Sequence, residues 1–326
     1  MKKIILIIPI LILAACAGKN SGNHIWQQKE GLVWNTAFHI TYEGAPELAD
    51  SVIAVLDRVG KSLSVFDTAS LVTKVNMGDS VGVNTDFIRV YIMSKKINKI
   101  SDGLFDPTIS PMIDAWGFGK GHKATADTAR IDSIKKYVGL DKTRLRRDAI
   151  LKDNPRITFN FSAIAKGYGC DAVGEMLESH GVKNYLIEIG GEIMMKGKNQ
   201  QGGDWRISVD RPIVSDSLIH ESQEIIQVTD MGVATSGNYR NFHEENGQRY
   251  GHTISPVTGR PVKTDVLSAT VLAPSAMEAD GLATAFMAMG SAKSKEVAGT
   301  LKRPVLLVLA DSTVWMSEEF EKLIIK

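Results

Sequence analysis

The chain has 326 residues, 44% of them hydrophobic, with 38 Lys+Arg against 37 Asp+Glu and a formal net charge of +1. That composition supports a sizeable buried core and excludes an intrinsically disordered chain. The charges are mixed along the sequence with no basic stripe, which argues against nucleic acid as a partner.

The N-terminus reads as a secretion signal. Lys2 and Lys3 precede the apolar run Ile4 to Leu13, which leads into Leu13-Ala14-Ala15-Cys16. The run is too short for a spanning helix, which needs about 20 apolar residues. Its basic, apolar and small-residue regions fit a signal peptide, and small residues ahead of a Cys resemble a bacterial lipobox. The expectation is residues 1–15 as signal, acylation of Cys16, a small polar tether over 16–30, and one domain over 31–326. The protein would be lipid-anchored in the bacterial cell envelope, on the extracytoplasmic and most simply periplasmic side. Cys170 is then the only cysteine left, so the mature chain can form no internal disulfide.

Val33 to Tyr42 is rich in β-formers and predicts a first strand. Leu48, Val52, Val55, Leu56 and Val59 recur at helical spacing within Pro46 to Lys61, and Phe87 to Ile100 repeats the pattern. Ser101 to Lys123 combines Gly and Pro with Phe105 and Trp116, which predicts an ordered loop with a short helix. Ile157 to Phe161 predicts a short strand. Ala163 to His180 predicts a helix, with Gly181 as its C-terminal stop. Further strands are predicted at Tyr185–Ile189, Trp205–Val209, Ile225–Val228 and Val266–Leu272, with a C-terminal hairpin of Val305–Leu309 and Val314–Met316. Helices and strands do not alternate strictly, which favours α+β over a doubly wound α/β fold.

Five segments hold residues suited to chemistry. Four of them mix glycine with hydroxyls and occasional charges: Asp102 to Thr108, Asn160 to Tyr168, Val233 to Tyr239 and Gly251 to Gly259. Glycine lets a backbone approach a ligand closely, and a helix start near Ala163 would offer amides to a phosphate, with Lys166 one turn in. The fifth, Glu278 to Gly290, is an apolar helix with Asp280 and Thr284 on one face. Two readings of that pair stand side by side. A carboxylate and a hydroxyl suit a hard cation such as Mg²⁺. Equally, Asp280 can cap a core helix while Thr284 bonds a preceding carbonyl. None of the five is a Walker loop, G-x-G-x-x-G, H-E-x-x-H or G-x-S-x-G motif.

Taken together, in this order and at these spacings, the five segments resemble the ApbE-type flavin transferases, over about Trp34 to Trp315. The resemblance implies an α+β fold related to the T-fold, with FAD as substrate in a central cleft and Mg²⁺ at its pyrophosphate. It implies transfer of FMN to a Ser or Thr hydroxyl of an acceptor protein through a phosphoester, with AMP released. The acceptors so implied are subunits of electron-transfer or ion-pumping complexes carrying Asp-Gly-x-Ser/Thr-Gly-Ala-Ser/Thr. The alternatives are FAD hydrolysis to FMN and AMP, and flavin binding without turnover. The family's flavin-contacting Met position falls on Trp34, its aromatic on Phe66, and its Ala-Phe-Asp triplet on Leu104, Phe105 and Asp106. Lys166 takes the FAD-contacting position of the Asp-Leu-x-x-Ile-Ala-Lys-Gly motif, with Asn160 in place of the leading Asp. His252, Thr253 and Ile254 match the His-x-Ile-Asp-Pro-x-Thr-Gly motif, whose Asp is Ser255 here. The metal ligands so implied are the Ala163 carbonyl, Asp280 and Thr284. His252 is the candidate general base, and Asp280 the single expected carboxylate at the metal.

Overall fold

The computed structural model describes residues 25–44, 47–117, 127–210, 222–237, 242–245, 248–251, 254–262 and 264–325. Cys16, His252 and Thr253 lie outside them, as do the signal and most of the tether. In chain order the first half runs β1 (Trp26–Val33), β2 (Thr36–Glu43), α1 (Ala49–Leu63), α2 (Leu71–Met77), α3 (Thr85–Ile100), α4 (Ser110–Ala115), α5 (Thr128–Lys135), β3 (Thr143–Arg146), β4 (Ala149–Lys152) and α6 (Ala165–Ser179). The second half runs β5 (Tyr185–Ile189), β6 (Glu192–Lys196), β7 (Trp205–Asp210), β8 (Ser222–Val228), β9 (Met231–Gly237), β10 (Phe242–Glu245), β11 (Gln248–Gly251), β12 (Val266–Ala273), α7 (Ala276–Leu301), β13 (Val305–Leu309), β14 (Val314–Met316) and α8 (Glu318–Glu321). The class is α+β, as the sequence pattern predicts.

Eight strands form one sheet in the order β1-β2-β5-β6-β9-β12-β13-β14, antiparallel throughout. Alternate side chains point to opposite faces of a strand, and here both faces are covered. Val305 and Leu307 of β13 join the main core with the helices, whereas Leu306 and Val308 join a second cluster with Trp205, Ile207 and Ile226 of the β7–β8 hairpin. A strand buried on both sides reads as an unbroken apolar run, which explains Val-Leu-Leu-Val-Leu at Val305 to Leu309.

Two expected strands are corrected. Val33–Tyr42 is not one strand: the chain turns at Trp34-Asn35, where φ is +49° and +64°, and Trp26–Val33 pairs back on Thr36–Glu43. Two consecutive left-handed residues make the tight turn that suits a two-residue hairpin. Ile157–Phe161 joins no ladder. Its Phe159 N–H donates to Asn76 Oδ1 (2.6 Å), its Phe159 carbonyl accepts from Asn76 Nδ2 (2.8 Å), and Asn160 N–H donates to the Pro107 carbonyl (2.8 Å). Its β-forming side chains serve packing instead: Phe87 meets Phe159 and Phe161 edge-on, with ring centroids 5.9 and 5.2 Å apart.

Helices α6 and α7 lie against the sheet and cap each other. Asp171 of α6 accepts the Ala276 and Met277 amides at the start of α7 (2.7 and 2.9 Å), and Asp280 of α7 accepts the Gly167 amide at the start of α6 (3.0 Å). The close approach needs a residue without a side chain at 167, because an added Cβ would sit 2.3 Å from the Ala276 carbonyl oxygen. Helix α6 ends as the sequence predicts: Gly181 has φ +81°, and the Gly181 and Val182 amides return to the Glu178 and Leu177 carbonyls.

Glu278, in the first turn of α7, receives Arg303 Nη2 at 2.9 Å and Lys96 Nζ at 3.1 Å. Burial raises its pKa, but the two cations outweigh burial and hold it below the ordinary 4.5. A carboxylate depressed in the folded state stabilises above its unfolded pKa and loses that contribution as pH falls through the folded value. Chemical denaturation from pH 7 down to pH 3 is therefore expected to show wild type losing its advantage over Glu278→Gln below about pH 4.5. A stability difference that does not change with pH would contradict the assignment.

Candidate active site

A cavity of about 400 Å³ opens beside the α6–α7 crossing. Leu104, Phe105, Asp106, Ala163, Lys166, Ile254, Asp280 and Thr284 all line it, so the fold gathers most of the sequence-derived site residues from four distant segments. Trp34 and Phe66 are not among the lining residues. The Trp34 indole lies in a slot between α1 and α6, where a Cβ on Gly60 or Gly169 would come within 2.8 or 2.5 Å of the ring. Phe66 sits between α1 and α2 with 71% of its surface exposed.

The α7 helix places Asp280 and Thr284 one turn apart, both facing the segment that leads into α6. Asp280 is almost fully buried. Burial drives its carboxyl pKa upward; the Lys166 charge and the Gly167 N–H counter that only in part. Thr284 Oγ1 lies 3.5 Å from the Ala163 carbonyl oxygen and 3.2 Å from Ser236 Oγ. A 3.5 Å contact is at the edge of hydrogen bonding, which leaves both oxygens open to another partner. Both halves of the structural reading of this pair hold in altered form. Asp280 does cap a helix, but that helix is α6 rather than its own, whose N-cap is Ser275. Thr284 does reach a carbonyl, 121 positions away in sequence rather than one turn back.

The donors are a backbone carbonyl, a carboxylate and a hydroxyl, all hard oxygens, which fit Mg²⁺ or Ca²⁺ better than a soft metal. Among the described residues no three His, Cys, Asp or Glu side chains converge, so a thiolate or imidazole site of the zinc kind has no support there. Of the first three amides of α6, those of Ala165 and Gly167 already donate, to the Phe161 carbonyl (2.9 Å) and to Asp280. The expected row of free amides for a phosphate is therefore largely engaged, and the Lys166 ammonium is the cation left to meet an anion.

Three lining residues do work that the sequence pattern hides. Asp106 accepts Thr108 N–H and Oγ1–H on one oxygen (both 2.7 Å) and Leu140 N–H on the other (2.8 Å). Its carboxylate fixes the loop that carries Leu104 and Phe105 into the cavity wall. Asn160 lines the cavity and accepts the Ser162 amide at 3.0 Å. At the other departure from the family pattern, Ser255 accepts the Thr258 amide at 3.1 Å. Both keep the local turn hydrogen bond that an Asp would make, without its charge. Asp280 is also not the only carboxylate here. Glu192, 4% exposed, lines the same cavity with Oε2 2.6 Å from Lys166 Nζ. Burial and the Asp280 charge raise its pKa, while the Lys166 ammonium beside it favours the ionised form. The only sequence signal for Glu192 is the Gly190-Gly191 pair, whose φ values of +62° and +100° make a two-residue turn and set Glu192 opposite Ile189 at the mouth of β6.

Known proteins of one family resemble this chain in sequence and in fold. A model of the ApbE family matches residues 34–307. A protein of Vibrio cholerae named FAD:protein FMN transferase is 35% identical over 92% of this chain and 91% of its own length. A namesake from Haemophilus influenzae is 32% identical over 98% of this chain and 96% of its own. Among solved structures, the flavin transferase ApbE from Vibrio cholerae superposes with a TM-score of 0.81 at 31% identity, covering 92% of this chain and 99% of that one. The apo flavinyl transferase ApbE of Pseudomonas stutzeri superposes with a TM-score of 0.84 at 27% identity, over 94% and 98%. The family match spans far more than half of the chain and takes in every lining residue discussed above, and on that ground the chain belongs to the ApbE family.

Proposed function

We propose that this protein is an FAD:protein FMN transferase. The observation that carries the reading is the convergence of the Ala163 carbonyl, Asp280, Thr284 and Lys166 in one cavity at the α6–α7 crossing. The names of its relatives from Vibrio cholerae and Haemophilus influenzae support it. In the proposed reaction an acceptor Ser or Thr oxygen attacks the FMN-side phosphorus of FAD. The new O–P bond is a phosphoester, the pyrophosphate bond breaks with AMP as leaving group, and the hydroxyl proton passes to a base.

Ala163 O, Asp280 and Thr284 Oγ1 are the residues that would hold Mg²⁺. When bound, the cation would neutralise charge on the pyrophosphate and on the departing AMP. The chain's own residues supply position. Lys166 offers an ammonium to the phosphates, and its neighbours keep it charged: burial works against the charge, but Asp280 and Glu192 outweigh burial. Leu104, Phe105 and Ile254 give an apolar wall suited to a flavin ring. His252 is the proposed base, on the strength of the motif it shares with the family. A His252→Ala variant that keeps the wild-type pH–rate profile would remove it from that role.

The test is mass spectrometry of an acceptor fragment carrying the Asp-Gly-x-Thr-Gly-Ala-Thr motif after incubation with the protein, FAD and Mg²⁺. The fragment should gain one FMN on a Thr of the motif, with AMP formed in equal amount. Intact FAD, or free FMN and AMP beside an unmodified fragment, would overturn the reading.

We also propose that Cys16 is acylated and anchors the protein on the extracytoplasmic side of a membrane. The basic, apolar and small-residue run ahead of Cys16 supports this. Among the described residues no helix is long and apolar enough to cross a membrane. Cell fractionation of a Cys16→Ala variant should move the protein out of the membrane fraction; unchanged membrane association would contradict acylation there.

A further inference from the structure

A carboxylate beside a pyrophosphate site is electrostatically adverse, because both groups are anions. Glu192 is such a carboxylate, and the reaction as derived above gives it no step. Its Oε2 is buried and 2.6 Å from the Lys166 ammonium, yet it makes no well-directed hydrogen bond among the described residues. The Lys166 stem runs past Gly190, where an added Cβ would meet Lys166 Cδ at 3.3 Å, so the bare glycine leaves the stem its path to Glu192. Two buried carboxylates, Asp280 and Glu192, therefore share one ammonium. Asp280 is the carboxylate of the oxygen set that suits a cation. An ammonium closed onto Asp280 would cancel the charge that attracts the cation and occupy the space beside it.

We infer that Glu192 is a positioning residue that holds the Lys166 ammonium off Asp280, leaving Asp280, Thr284 and the Ala163 carbonyl open to a divalent cation. The Gly190-Gly191 turn is the device that aims it, since Glu192 is the first residue of β6 and directly opposite Ile189. The same contact keeps the ammonium at the cavity wall, where it can meet the substrate phosphates. This inference rests on the transferase reading for the presence of a cation. Its test uses metal binding alone, so FMN transfer by the wild-type protein decides that reading separately.

The experiment measures Mn²⁺ binding to the full chain without nucleotide, by electron paramagnetic resonance of free Mn²⁺. It compares wild type, Glu192→Gln, Lys166→Met and the double variant. Glu192→Gln should bind Mn²⁺ about 10- to 100-fold more weakly, the range typical of losing a group that orients a ligand. The double variant should return to within a few-fold of wild type, because no ammonium is left to close onto Asp280. Lys166→Met alone should bind at least as tightly as wild type. Three results would each overturn the inference. One is unchanged affinity in Glu192→Gln. Another is a loss that Lys166→Met does not restore, which would make Glu192 a ligand or a structural residue. The third is absence of Mn²⁺ binding by the wild-type protein.

Discussion

Replacing Asp280 by Asn is expected to leave the fold intact and to lower FMN transfer about 10²- to 10³-fold, the usual consequence of removing one electrostatic stabiliser of developing charge. Asn keeps an oxygen to accept the Gly167 amide, now 3.0 Å from Asp280 Oδ2. It also removes a buried negative charge whose pKa burial already pushes upward. Neither effect harms folding. What disappears is the carboxylate among the three candidate metal ligands; a carbonyl and a hydroxyl would remain. Steady-state rates across a Mg²⁺ titration should show a deficit that excess metal does not erase. Wild-type rates in Asp280→Asn at ordinary Mg²⁺ would place the metal elsewhere. Glu192 does not replace Asp280 in this variant, because the Lys166 ammonium at 2.6 Å already engages it.

The second large effect is structural. In Gly167→Ala the new methyl carbon would lie 2.3 Å from the Ala276 carbonyl oxygen and 2.8 Å from Asp280 Cβ. The first of these is backbone and cannot rotate away, so α6 and α7 must part. Overpacking of this kind costs about 1–3 kcal/mol, and the separation also stretches the two reciprocal caps at Asp171 and Asp280. In a protein this large each kcal/mol lowers Tm by about 2–4 °C. Gly299→Ala is the control: it lies in α7, the helix that Gly167 approaches, beyond the break at Gly290, and an added Cβ there has nothing within 4 Å. That change should stabilise by about 0.4–1 kcal/mol. Calorimetry that finds Gly167→Ala as stable as Gly299→Ala would mean that the crossing does not depend on contact at 167. The same contact ties stability to function, since the crossing sets the distance between Ala163 and Thr284.

Several parts of this architecture are legible in the sequence because their signals are local. The apolar spacing of α1 and α3, the Gly181 stop of α6 and the C-terminal hairpin each follow from a few neighbouring residues. The β1 strand escapes because Trp26 to Val33 is polar and poorly alternating, as suits an edge strand with Lys29 in it. Ile157 to Phe161 misleads in the opposite direction: its β-forming residues pack among aromatic rings while the Asn76 side chain satisfies the backbone. At the site, Asp280 and Thr284 are readable as a pair because helical periodicity joins them. Their roles are not readable, because each acts on a residue more than a hundred positions away. Glu192 is hidden for the same reason. Nothing within its own strand marks it as the partner of Lys166, and only the hairpin turn brings the two together.

The oxygens at the α6–α7 crossing are expected to support metal-dependent transfer of FMN from FAD to a protein hydroxyl. In-gel flavin fluorescence tests it most directly, with the protein, FAD and an acceptor fragment run across a Mg²⁺ series, beside an EDTA lane and a fragment whose motif hydroxyls are removed. A fluorescent acceptor band should rise with Mg²⁺ and be missing from both control lanes. A band of equal strength in EDTA, or no band at any Mg²⁺ concentration while the intact fragment is present, would contradict it.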